Sequence, residues 1–364
     1  MNLSEKNPLE LKLSELLERI KPADETVFAE AQAHWDGISK PLRGLGLLET
    51  LVSRIAALTG NVDVHIDKRA VLVLCADNGV VCEGVTQSDA SITAAVAGEL
   101  LRGTTSVCNM ARAARAEVIP VDMGMLSAVP GVRDCHIARG TGNIAVEEAM
   151  TRQQALEAIL CGIELVRECK EDGVELIATG EMGIGNTTTS SAVASVLLNL
   201  PVETVTGRGA GLSDAGLLRK KAVIAQAVEV NKPNADDALD VLHKLGGFDI
   251  AGMTGIFLGG ALYRVPVLID GLISSIAALI AYRLCPNANC AMLASHCSAE
   301  PAAQMILNEL GLRASIFADL KLGEGTGAVC LIPLLDLALS VYHDAAAFRE
   351  SGIEQYELQE GDIR

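Results

Sequence analysis

Two short stretches of this chain combine glycine with groups that could hold an anion or move a proton. In Thr179-Gly180-Glu181-Met182-Gly183-Ile184-Gly185-Asn186-Thr187-Thr188-Thr189, glycines run into a threonine-rich segment. Glycine lets a backbone approach a ligand closely. The start of a following helix supplies free N–H groups and a favourable dipole for an anion. The stretch is neither a Walker loop, which needs Gly-Lys-Ser/Thr, nor a dinucleotide fingerprint. A plain glycine turn followed by capping threonines fits the same letters. In Leu322-Gly323-Glu324-Gly325-Thr326-Gly327-Ala328, one carboxylate stands among glycines. Glycine on both sides permits a sharp turn that aims Glu324 into a pocket, where desolvation raises it toward a useful general base. The alternative is an exposed acid in a flexible loop.

Three further stretches say less. Gly207-Arg208-Gly209-Ala210-Gly211-Leu212 leads toward Arg219-Lys220-Lys221, a basic cluster that could neutralise a phosphate or simply form a solvated helix face. Ser295-His296-Cys297-Ser298-Ala299-Glu300 sets serine beside histidine, but no Gly-x-Ser-x-Gly elbow exists. Its hydroxyls read as hydrogen-bond donors to a ligand and its histidine as structural. Asp77-Asn78-Gly79 is a turn signal and says little alone.

The elements that must position these groups alternate. Short β-branched runs at Ala70–Ala76, Val118–Asp122, Val174–Thr179, Val202–Thr206, Val265–Asp270 and Ala291–Ser295 read as strands covered on both faces. Helical segments such as Ser91–Leu101, Thr151–Lys170, Thr187–Leu198 and Leu217–Val230 lie between them. This alternation predicts an α/β fold with a mostly parallel six-stranded sheet and helices on both faces. Residues 1–60 and 331–364, including Leu334–Tyr342, read as helical and predict a small subdomain built from both termini, flanking an α/β domain over 61–330. Ligands of such sheets bind beyond the carboxyl ends of the strands, where the glycine stretches fall.

With 29 basic against 46 acidic side chains in 364 residues, the formal charge is −17. An acidic chain argues against nonspecific nucleic-acid binding, so any anionic ligand must be held by local donors. Half the residues are hydrophobic but only 3% are aromatic, so the core is aliphatic. Ten cysteines without a Cys-x-x-Cys pair, Cys75 and Cys330 among them in apolar runs, read as reduced core thiols rather than a zinc site or a disulfide framework. The first 22 residues lack the apolar core of a signal peptide. Arg264 and Asp270 interrupt Ile250–Tyr282 below the roughly 18 apolar residues that span a bilayer. No membrane and a cytoplasmic location are expected.

Taken together, the motifs resemble the nicotinate-nucleotide:dimethylbenzimidazole phosphoribosyltransferase family, which activates the lower base of cobamides. The markers cover nearly the whole chain. They are Lys40-Pro41 with Gly46 and Leu48-Glu49-Thr50; Ala76-Asp77 with Gly79-Val80; Glu83-Gly84-Val85; Arg102-Gly103-Thr104-Thr105; and Ala138 to Ala145. They continue with Gly180-Glu181-Met182-Gly183, Gly246-Gly247-Phe248-Asp249, Gly252-Met253-Thr254-Gly255, Ser295-His296 with Ser298-Ala299-Glu300, and Leu322-Gly323-Glu324-Gly325.

The resemblance implies transfer of the ribose phosphate of nicotinate mononucleotide to an aromatic lower-ligand base, giving an α-riboside 5′-phosphate and nicotinate. It implies Glu324 as general base and Glu181 as a second catalytic carboxylate, which with Ser88 lines the base pocket and helps hold the acceptor. Gly183, Gly185, Asn186, Thr187, Gly209, Lys220 and Ser298 match its nucleotide and phosphate site. It also implies a Rossmann-like sheet, usually a symmetric dimer, and chemistry that needs no metal or cofactor.

Several positions depart from the family pattern. The usual Asp-His-Gly is Asp77-Asn78-Gly79, and Ser-Pro-Lys is Ser88-Asp89-Ala90. A base-pocket glutamine is Val96, a leucine is Met182, and Lys-Pro-Pro-Gly-Ser-Leu-Gly is Lys40-Pro41-Leu42-Arg43-Gly44-Leu45-Gly46. Val96 and Met182 make a more apolar and adaptable base pocket. This points to a variant that activates phenol or p-cresol, in which the chain would be one subunit of a heterodimer, catalytic or not. A nucleotide-cofactor oxidoreductase is disfavoured, since no Gly-x-Gly-x-x-Gly opens a helix.

Overall fold

Arg69–Ala76 forms strand β1, buried along its whole length, which is why its sequence shows no polar alternation. The computed structural model describes residues 7–357. The outer ends of both terminal helical stretches, residues 1–6 and 358–364, lie outside the described residues. The other strands are β2 (Glu117–Gly124), β3 (Arg133–Asp134), β4 (Leu176–Met182), β5 (Val267–Ile269) and β6 (Met292–Ala294). All pair in parallel in the order β3-β2-β1-β4-β5-β6. The chain therefore builds outward from β1 to one edge, returns, and adds β4 to β6 on the other side. The order reverses between β1 and β4, and a crevice opens beyond the carboxyl ends of those two strands.

Helices cover both faces. α1 (Pro8–Glu18), α2 (Glu25–Gly37) and α3 (Leu47–Thr59) precede the sheet; α4 (Ser91–Arg102) and α5 (Ser106–Ala113) link β1 to β2. α6 (Arg152–Glu171) leads into β4, and α7 (Asn186–Leu197), α8 (Val202–Val205), α9 (Asp214–Asn231), α10 (Ala238–Leu245) and α11 (Phe248–Tyr263) follow it. α12 (Leu272–Leu284), α13 (Ala303–Glu309), α14 (Thr326–Asp344) and α15 (Phe348–Ser351) complete the chain. Leu72 and Leu74 of β1 pack into the core shared with α6, α7, α11 and α12; Val71, Val73 and Cys75 pack with α2 to α5 and α14. Gly162 of α6 and Gly255 of α11 meet without side chains: a Cβ on either would stand 2.9 Å from the other's Cα. That close packing fixes α11, whose first turn enters the site.

α2, α3 and α14 pack together around Trp35, whose ring lies 4.7 Å from that of Tyr342, whereas α1 lies against α6 on the other face of the sheet. α14 is continuous across residues 330–331, with Pro333 inside it.

Four local expectations need correction. Val202–Thr206 is not a strand: Pro201 starts a single helical turn there, and β-branched composition yields to context outside the sheet. The sixth strand is β3, two exposed residues without a hydrophobic signal. The last long helix begins at Thr326, immediately after the Glu324 turn. The ten cysteines are all free thiols; Cys75 is buried and Cys330 half-buried, but Cys82 is exposed rather than in the core. Among the described residues α14 alone has the length and hydropathy to cross a membrane, and more than half of it is buried in the fold.

Candidate active site

Glu324 sits in a turn that glycine makes possible. Gly323 (φ 87°), Glu324 (φ 59°) and Gly325 (φ 91°) are consecutive left-handed residues, and a glutamate held there is strained by about 1–2 kcal/mol. The turn is anchored from below by Asp270, just after β5. The Asp270 carboxylate accepts the Gly325 N–H at 3.2 Å and the Ala328 N–H at 2.9 Å. Asp270 also faces His296, whose Nδ1 lies 3.2 Å from Ser295 Oγ. The anchoring leaves the Glu324 side chain half-buried, with Oε2 lacking any hydrogen-bond partner. Burial raises Glu324 above the ordinary glutamate range.

Beside this turn, β4 delivers Glu181. A Cβ on Gly323 would stand 2.7 Å from Glu181 Oε1, so the two acidic segments touch only because residue 323 is glycine. Glu181 Oε2 accepts from Asn186 Nδ2, and the same nitrogen donates to Asp249 Oδ2 at 2.9 Å. Burial, then the Asp249 charge, pushes Glu181 up to about 8. Burial likewise pushes Asp249 up to about 6, against its hydrogen bonds from Asn186 and the Ile250 N–H. Behind them, Asn78 Nδ2 donates to the Ile184 carbonyl at 3.3 Å and so braces the glycine loop.

At the far end of the loop lies a cation. Lys220 is 0% exposed and donates from Nζ to Thr187 Oγ1 at 2.8 Å. Burial lowers it to about 8, opposed by the charge of Glu300. Glu300 Oε1 accepts the Gly209 N–H at 3.0 Å, while its Oε2 is buried without a partner. Gly209 (φ 53°) brings backbone against this group: a Cβ there would come within 2.8 Å of Thr187 Oγ1. Of the three consecutive basic residues, Lys220 turns inward; Arg219 instead lies against Gly84.

One cavity of about 280 Å³ joins the two ends. Ser88, Val96, Glu181, Met182, Gly183, Gly185, Asn186, Thr187, Gly209, Ser298 and Glu324 all line it, and Lys220 stands just behind Thr187. Asp270, His296 and Glu300 also line it. Glu300 and His296 belong to a motif visible in the sequence, whereas nothing in the letters gives Asp270 or Asp249 a role in the site. Ser295 does not reach the cavity: it is buried and donates to the Ile269 carbonyl at 2.5 Å.

A family model described as Phosphoribosyltransferase matches residues 20–353. The nicotinate-nucleotide–dimethylbenzimidazole phosphoribosyltransferase of Ruminiclostridium cellulolyticum is 44% identical over 344 residues, 94% of this chain and 98% of that protein. The chain belongs to this phosphoribosyltransferase family. The phosphoribosyltransferase of the same name from Clostridium acetobutylicum is 41% identical, over 95% of this chain and 99% of that protein. The crystal structure of CobT from Thermus thermophilus superposes with a TM-score of 0.86 at 38% identity, covering 91% of this chain and 100% of that one. The six-stranded α/β architecture expected from sequence is thus the architecture of the phosphoribosyltransferase family, and the chain is an enzyme of this type.

Proposed function

We propose that this phosphoribosyltransferase moves the ribose phosphate of nicotinate mononucleotide to an aromatic lower-ligand base of cobamides, with Glu324 as general base. The observation that carries the reading is the unpartnered Oε2 of Glu324, held in a strained turn on the wall of a cavity whose other end has a buried lysine. A buried carboxylate oxygen left without a donor is costly unless a substrate completes it. A phosphate fits the opposite end, where the Lys220–Thr187 pair and the N-terminus of α7 converge.

The chemistry then balances. The acceptor's lone pair attacks C1′, and the C1′–N bond to the pyridinium breaks with its electrons returning to the ring nitrogen, releasing nicotinate. Glu324 takes the acceptor's proton. The pyridinium is already a good leaving group, so the protein's contribution is orientation, one proton acceptor and exclusion of water from an oxocarbenium-like centre. Ser88, Val96 and Met182 form the acceptor's wall in this reading, while Gly183, Gly185, Asn186, Thr187, Gly209, Lys220 and Ser298 hold the nucleotide. A dimer and a cytoplasmic location are part of the same reading; native mass spectrometry tests the first.

A second reading has phenol or p-cresol as acceptor and an O-glycoside as product. It rests on Val96 and Met182, which present apolar groups beside Glu181 on the cavity wall. Incubating the purified chain with nicotinate mononucleotide and dimethylbenzimidazole, a purine or phenol, then weighing the products, decides between them. Turnover of dimethylbenzimidazole without phenol removes the second reading. No product with any acceptor, alone or with a related subunit, removes both.

A further inference from the structure

Asp249 has no part in the transfer as derived above, yet it is fully buried against the loop that carries Gly183 and Asn186. It stands in the first turn of α11, where Oδ1 accepts the Ile250 N–H at 2.9 Å and Oδ2 accepts from Asn186 at 2.9 Å. A side-chain amide nitrogen carries two hydrogens. Asn186 gives one to Asp249 and one to Glu181, which ties the three residues into a single chain. Neither carboxyl is paired with a lysine, arginine or histidine among the described residues. The titratable groups that face the chain are Cys75 of β1, Asp77 beyond β1, Asp270 beyond β5 with its neighbour His296, and Glu324 before α14.

Two buried carboxylates bridged by a neutral amide, with acids around them, hold one negative charge between them at far lower cost than two. Local donors decide which keeps it. Asp249 has a backbone N–H and the positive end of a helix; Glu181 has only the shared amide. The charge stays on Asp249 and the proton on Glu181. The upward shifts of Glu181 to about 8 and Asp249 to about 6 fall in the same order.

We propose that Asp249 is a positioning residue: through Asn186 it fixes Glu181 and leaves it a neutral acid beside the Glu324 turn, so that Glu324 is the one carboxylate facing the acceptor. A second anion at residue 181 would stand against Gly323 and make Glu324 harder to ionise, leaving it protonated when the acceptor arrives. This inference rests on the reading of Glu324 as general base.

The test uses Asp249→Asn in the full chain. Its kcat/KM for dimethylbenzimidazole is expected to show an acid limb moved up by about one pH unit, hence a loss of about tenfold along that limb, with KM for nicotinate mononucleotide within about twofold of the parent. Merely loosened packing would lower the rate at every pH and leave the limb in place, and that result overturns the inference. Infrared difference spectra of the parent against Glu181→Gln read the proton directly. A protonated-carboxyl band at pH 7 that vanishes on that substitution, and is lost in Asp249→Asn, supports the inference; its absence from the parent overturns it, even where Asp249→Asn fails to fold. The infrared measurement does not require turnover, so it reads the proton on Glu181 even in a chain inactive toward every acceptor, a result that would sink the transferase reading and with it the role given to Glu324.

Discussion

The carbonyl oxygen of Glu324 lies 2.5 Å from the point where a Cβ would stand on Gly180. The general-base turn is therefore laid backbone to backbone against β4, one residue before Glu181, and its position is set by the absence of a side chain. Gly180→Ala forces that backbone to move, since a methyl cannot be accommodated by rotating a side chain. A displacement near 1 Å at a reacting group costs on the order of 10²-fold in rate. The expected outcome is a kcat lowered by about that factor while calorimetric binding of nicotinate mononucleotide persists. A variant with parental kcat would show that the contact does not position Glu324.

Glu324 itself separates stability from activity. Its left-handed φ and unpartnered Oε2 both cost free energy in the folded state. Glu324→Gly relieves both, offset by about 0.5–1 kcal/mol of added chain entropy, so its Tm is expected to equal or exceed the parent's. Its kcat, and that of Glu324→Ala, is expected to fall by about 10²–10⁴-fold. Thermal denaturation beside a steady-state assay checks both halves. A large drop in Tm for the glycine variant would mean the turn is held by the side chain and not by its glycines.

Lys220 is expected to report on the phosphate. A charge-assisted hydrogen bond in a buried site is worth about 1.5–3 kcal/mol. Lys220→Met should therefore raise KM for nicotinate mononucleotide by roughly 10- to 100-fold, with KM for the aromatic acceptor little changed. A KM for the nucleotide within twofold of the parent would move the phosphate elsewhere.

How much of this was legible in the letters varies with the physics involved. Runs such as Val71 to Cys75 announce a two-sided buried strand because burial on both faces removes polar alternation. The glycine corners announce the site because close backbone approach admits nothing larger than hydrogen. Lys220 was half-legible: Lys220, Val223, Ile224 and Ala227 are the buried side of α9 at helical spacing, so the period picks the inward lysine from its two basic neighbours. Asp249 was not legible as a partner of Glu181. Early in a helix an aspartate reads as a dipole-compensating acid, and only tertiary packing through Asn186 joins it to a carboxyl 68 residues earlier in the chain. β3 and α8 escaped for the opposite reason, being too short for any period to register.

The buried charges also set how stability follows pH. Glu181 and Asp249 release their protons at about 8 and about 6 in the folded chain, against ordinary values of 4.5 and 3.8. Between those limits the folded state binds more protons than the unfolded one, so stability is full below the ordinary values and is lost as pH rises toward 8. Lys220 works in the other direction. Lowered to about 8 from 10.5, it leaves the folded state with fewer protons than the unfolded one across that interval, and stability recovers as pH climbs through it. Buried thiols such as Cys75 and Cys169, held protonated above the ordinary cysteine range, oppose Lys220 above about pH 9, so each contribution is read as the difference between variant and parent in denaturant titrations at constant ionic strength from pH 5 to 10. Glu181→Gln should flatten the fall below pH 8, and Lys220→Met should remove a rising contribution between pH 8 and 10. A parental stability that rises steadily from pH 5 to 8 would mean that the Glu181–Asn186–Asp249 chain is not holding an extra proton.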